Sequence, residues 1–153
     1  MVRTIAAIVV GYLVIVLLVF GLGLGAYAGI GPENAYEAKS WHATTIIGLL
    51  TLISGVFASV VGGWVAGKID PRPRGFRGLA GVLLVLGLAM AALQSTQPAP
   101  PPRTEPVTLK LAMEHSSDHR DPAWVTWLLP IIGTVGVMVG GAGTRGKPEP
   151  VAS

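Results

Sequence analysis

The sequence predicts an all-α integral membrane protein, with four transmembrane helices in an up-down bundle and both termini in the cytoplasm. Three observations carry this. Of 153 residues, 51% are apolar, with 21 glycines besides. Charged residues are only 12%, against roughly 25% in a typical soluble domain. The charges also cluster, leaving residues 4–32, 40–67, 78–102 and 122–144 with none. A bilayer span needs roughly 20 mainly apolar residues. One Asp, Lys or Arg at its centre costs about 2.5 to 3.5 kcal/mol.

Each stretch is read as one span. Span one covers about residues 4–29, and its run AAIVVGYLVIVLLVF is rich in β-branched residues. In water that would favour a strand. In hydrocarbon the backbone must satisfy its own hydrogen bonds, and helix follows. Span two covers about 44–67 and span three about 78–93, joined by the basic turn KIDPRPRGFR. A Pro-rich outer loop, 94–121, follows, and the five prolines of QSTQPAPPPRTEP favour extended backbone. Span four covers about 122–143, with Asp121 expected as N-cap and Pro122 at the first helical position. Pro130 cannot bond the carbonyl of Thr126 and should kink this span. Residues 1–145 form one membrane domain on this reading, and 146–153 a flexible cytoplasmic tail.

Basic residues set the orientation. Of eleven Lys and Arg, seven fall on the side of the termini and the second loop: Arg3, Lys68, Arg72, Arg74, Arg77, Arg145 and Lys147. The positive-inside rule then places that side in the cytoplasm and the chain in a bacterial inner membrane. Trp41, Trp124 and Trp127 are expected at the outer interface and Trp64 at the inner one. A rival reading cleaves the chain after Ala28 as a signal peptide. The apolar run from Ile5 to Leu24 exceeds the usual signal core of about 7 to 15 residues, so span one is read as retained.

There is no cysteine, which excludes disulfides, thiolate metal sites and cysteine catalysis. The basic residues flank apolar spans, so nucleic acid is not a partner; the bilayer is. The one cluster of ligand-type side chains is EHSSDHRD, with Glu114, His115, Asp118 and His119 as candidate metal ligands. On a helix His115 and His119 would share a face. The plainer reading is a hydrated loop, and no metal or cofactor is assigned. No ionisable residue lies at membrane depth, which argues against an ion-coupled exporter of the small multidrug type. Ser54 and Ser59 have no histidine base within the membrane, since the three histidines all fall in outer loops, so no enzyme is expected.

Small residues recur every four positions in span two: Thr51, Gly55, Ser59, Gly63 and Gly67. The opposite edge is bulky, with Ile46, Leu50, Ile53, Phe57, Val61 and Trp64. Span one has Gly21, Gly25 and Gly29, and span four Gly136, Gly140 and Thr144. In lipid, helices associate through close fit, so these edges read as helix-packing faces. The first functional expectation is an accessory or structural membrane protein, homo-oligomeric or part of a larger membrane complex. The second is a channel or carrier for a neutral or lipid-like solute, which a cavity between the helices would favour. The third is an outer-loop metal or ligand sensor.

Overall fold

The computed structural model describes residues 1–103, 106–115 and 118–144. Arg145 and the expected tail, 146–153, lie outside them. Among the described residues the regular structure is helical: α1 (Val2–Ile30), α2 (Pro32–Ala35), α3 (Thr45–Ile69), α4 (Pro73–Thr96), α5 (Leu109–Glu114) and α6 (Ala123–Ala142). No strand accompanies them, only two isolated bridges. Four of the helices, of 29, 25, 24 and 20 residues, are long and apolar enough to cross a membrane. At 1.5 Å per residue even the shortest is about 30 Å long, the thickness of the hydrocarbon core.

The helix ends follow local chemistry. α1 stops at Gly31, whose φ of 87° suits glycine, and whose N–H donates to the Tyr27 carbonyl before Pro32 breaks the run. α3 stops at Asp70, followed by Pro71. α4 is longer than its charge-free core. It starts at Pro73, so Arg74 and Arg77 lie in its first turns, and it continues past Leu93 to Thr96. The capping expectation for α6 needs correction. Pro122 holds the N-cap position, and no side chain caps the helix. Asp121 instead accepts from His119 Nε2 at 3.3 Å.

Glycine contacts set the packing. A Cβ on Gly63 would collide with the backbone of Val137, and one on Gly140 with the backbone of Val60. Gly55 receives Leu129, Ser59 lies against Gly136, and Gly67 against Thr144 and Gly141. Residue numbers rise together along this seam, so α3 and α6 run side by side in the same direction. A second small face of α3, Gly62 and Ala66, receives Gly11 and Ile15 of α1. α4 joins through Gly75 on Ala7, Gly78 on Ile8, and Phe76 on Gly141. The bulky edge of α3 points away, with Ile46, Ile53, Phe57 and Trp64 exposed.

The edge Gly21, Gly25 and Gly29 takes no part in this packing: nothing lies within 4 Å of where their Cβ atoms would stand. α1 docks through Ala7, Gly11 and Ile15, its buried residues, one helical face near its start. Its later glycines lie on a surface that no helix of the described residues covers.

A second core lies at the other end. Ala35, Tyr36, Trp41, Ala43, Ile47 and Val107 are buried together, with Tyr27, Ile30, Leu111 and Ala112 packed against them. Backbone bonds tie the connecting segments into one cap: Ala43 N–H to Arg120 O at 2.9 Å, Arg120 N–H to Trp41 O at 3.1 Å, and Arg103 N–H to Lys39 O at 3.0 Å. Val107 N–H donates to Glu33 Oε1 at 2.6 Å. Trp41 is buried in this cap, while Trp124 and Trp127 stay exposed.

Two predictions follow from the packing. Gly63→Leu and Gly140→Leu should lower the melting temperature in detergent, each costing at least the roughly 1 to 3 kcal/mol of ordinary overpacking, because the obstacle is backbone. Gly21→Leu and Gly25→Leu should melt like the parent chain. Equal melting of all four variants would remove the α3–α6 contact from the account.

At the opposite end from the cap, the Thr4 hydroxyl donates to Asp70 Oδ2 at 2.7 Å and Arg72 N–H to Oδ1 at 3.1 Å. The bond from Thr4 and the Arg72 N–H and charge hold this carboxyl below its ordinary range, against burial, which pushes it up. A group depressed in the folded state adds stability above its unfolded pKa of about 3.9, and loses it as pH falls through the folded value. Between the two values the unfolded chain binds the extra proton. Acid melting should therefore steepen below about pH 4, and Asp70→Asn should flatten that limb. Identical acid limbs in both proteins would refute the assignment.

Candidate functional site

Small residues let the four long helices touch where α1 begins and α3 ends. Toward the cap the side chains grow and the helices separate. Pro130 seats on Gly87, which keeps α6 against α4 there. Among the four helices lies a cavity of about 550 Å³ bounded by α1, α3, α4 and α6. Sites for small molecules typically occupy roughly 300 to 1,000 Å³.

Its chemistry changes along its length. The deep end is formed by Tyr12, Ile15 and Ser59. The walls are Leu83, Leu86, Met90, Leu129 and Pro130, mainly apolar, with Thr51 among them. The outer rim is polar: Gln94, Gln97, His119, Arg120, Asp121 and Thr126. Ser59 Oγ donates to the Val56 carbonyl at 2.9 Å, so the deepest hydroxyl is satisfied by its own helix. Thr126 Oγ1 donates to Gln94 Oε1 at 3.0 Å, joining α4 to α6 across the rim. Pro130 has no N–H to give, so the Thr126 carbonyl lacks its helical donor, and Thr134 Oγ1 instead donates to the Pro130 carbonyl at 2.7 Å.

The cap positions the rim. His119 Nδ1 stands 3.4 Å from the Tyr27 hydroxyl while Nε2 faces Asp121. The ring also meets Tyr36 edge-on at 5.7 Å between centroids. Arg120 Nη1 donates to the His119 carbonyl at 3.0 Å, and the Arg120 backbone is clamped by Trp41 and Ala43. These bonds hold residues 119–121 over the mouth of the bundle.

The metal-ligand candidates are separated by the same contacts. α5 ends at Glu114, so His115 and His119 do not share a helix. His115 stacks on Trp41 at 4.7 Å and 8°, and Glu114 pairs with Lys110 at 3.8 Å. Among the described residues no group of three His, Asp or Glu side chains converges on a metal-sized site. Within this segment both imidazoles lie against aromatic rings, while its described residues stay partly or fully exposed. The predicted packing glycines take different places. Gly55 and Ser59 line the cavity as well as the α3–α6 seam. Gly63, Gly67, Gly136 and Gly140 lie below it in the closed part of that seam, and Gly21 and Gly25 face open space.

The cavity and the cap escaped sequence reasoning. The signal available was the placement of Gln94, Thr126 and Pro130 near two span ends, which periodicity alone does not bring together. No protein-family model matches this chain, and neither the curated proteins nor the solved structures include a match to it.

Proposed function

We propose that the protein is a multi-pass inner-membrane protein that binds an amphiphilic, lipid-like molecule in the cavity between its helices, without catalysing a reaction. The observation that carries this is the polarity of the cavity: apolar walls within the span of the helices, ending in a rim of amide, imidazole, guanidinium and carboxylate groups. An amphiphile has that same division. A small polar solute would leave the walls unmatched, and an ion would meet no charge at depth.

The accessory role is less well served. The small edge Gly55, Ser59, Gly63 and Gly67 is already covered by α6 of the same chain. The open edge that remains for a second copy or a partner is Gly21, Gly25 and Gly29 on α1.

The topology that fits this reading places both termini and the basic α3–α4 turn in the cytoplasm and the cap outside, as an up-down bundle. A reporter fused after Ser153 should be active only if it functions in the cytoplasm. Activity of a periplasmic reporter at that position would reverse the orientation.

Binding is tested with Gly133→Leu. Gly133 lines the cavity, and nothing lies within 4 Å of its Cβ position. A Cβ there meets no neighbour, so leucine projects into the cavity, and in a helix it is favoured over glycine by somewhat less than the roughly 0.8 to 1 kcal/mol that separates alanine from glycine. In detergent, a monoacylglycerol at a hundred times its Kd should stabilise the parent chain by about 2.7 kcal/mol. Gly133→Leu should melt no lower than the parent without ligand and lose that gain. Equal stabilisation of both proteins would defeat the reading.

A further inference from the structure

Resting on the reading that the cavity holds an amphiphile, we propose that its occupant is a bilayer lipid that enters sideways, through the seam between the cap-side halves of α1 and α4. The other seams are closed. α3 and α6 meet through Gly48 on Val125 and Gly55 on Leu129, and α4 meets α6 through Gly87 on Pro130 and the Thr126–Gln94 bond. α1 meets α3 through Gly11 and Ile15, and further out Tyr27 lies against Tyr36 of the segment that leads into α3. Above the mouth, residues 119–121 are clamped by Trp41 and Ala43.

The α1–α4 seam is closed over its first part, by Ala7 on Gly75, Ile8 on Gly78 and Gly11 against Leu79, with Leu18 and Leu83 packed on the same core. Beyond it, Gly81 on α4 and Gly21, Gly23 and Gly25 on α1 have nothing within 4 Å. On this side the cavity wall is also the protein surface: Leu86, Met90 and Leu93 line the cavity, yet are 48%, 65% and 57% exposed. A side chain that bounds a cavity and is about half exposed or more stands at its opening.

The side chains at that opening, Leu86, Met90 and Leu93, are apolar, so within a bilayer it faces acyl chains rather than water. A lipid entering here keeps its chain against Leu86, Met90 and Leu93, with its head at the level of Gln94, Arg120 and Asp121. Arg120 and Asp121 balance in formal charge, which suits a zwitterionic head such as phosphatidylcholine and does not select for an anionic one. The lipid needs no passage through water, since the seam runs within the span of both helices.

The test uses the full chain in phosphatidylcholine vesicles carrying a trace of phosphatidylcholine with a diazirine midway along one acyl chain. Ser59 reports the cavity, being 1% exposed and a good trap for the carbene through its O–H; Val85, 67% exposed, reports the outer surface. The lipid probe should label both residues in the parent chain, and only Val85 in Gly133→Leu. A second arm adds a water-soluble short-chain diazirine amphiphile from outside. If that probe labels Ser59 and the lipid probe does not, sideways admission is wrong while the amphiphile reading stands. If neither probe labels Ser59, both are wrong.

Discussion

The bundle depends on how closely the backbones of α3 and α6 approach. At Gly63 and Gly140 each helix presses a bare Cα against the other's main chain, and no larger residue fits either place. Apolar burial does little for this in a bilayer, since lipid is as apolar as the partner helix; dense van der Waals contact has to hold the pair. That contact fixes α6 on α3 and makes the two a single wall. α1 and α4 then dock onto the wall where it is smoothest, α1 on Gly62 and Ala66, and α4 with Phe76 over Gly141. All these contacts lie toward one end. Toward the other end the contacts pass to larger side chains, Leu129 on Gly55 and Pro130 on Gly87, and the cavity lies among them.

The polar groups within the bundle follow the same division. In the tight part, Ser59 and Thr144 return their hydroxyls to carbonyls of their own helices. That satisfies the donors without asking a neighbour for geometry, and lets the helices approach on shape alone. In the open part Thr126 reaches across to Gln94, a side-chain bond between two spanning helices. Pro130 adds to this by freeing the Thr126 carbonyl where the chain borders the cavity. A bundle packed solid along its whole length would have no use for either feature.

The spans were legible because a bilayer imposes a simple rule on charge, and the chain keeps it over four stretches. Their boundaries were less legible. Arg74 and Arg77 read as a turn, yet the first turns of α4 lie beyond the charge-free core, where arginine costs little. The small edge of α3 was legible as a face but not its counterpart, since a four-residue repeat identifies a surface without naming what covers it. Gly21, Gly25 and Gly29 illustrate this: the same spacing as on α3, and no helix against it. The cap was invisible to pattern reading. It is built from pairs distant in sequence, Trp41 with His115, Glu33 with Val107, Ala43 with Arg120, and none leaves a local period.

The cap and the cavity are mechanically one unit. Arg120 gives its N–H to Trp41 and its carbonyl to Ala43, so the backbone of the rim is a rung between two connecting segments. His119 is held between Tyr27 and Asp121, and Tyr27 belongs to α1, the helix beside the open seam. At this end α1 is held by the 3.4 Å hydroxyl–imidazole contact, by the rings of Tyr36 and His119 against Tyr27, and by Ile30 on the cap core. At its start it is held by Gly11 and Ile15 on α3, so α1 is tied to the bundle by close backbone packing at one end and by aromatic side chains at the other.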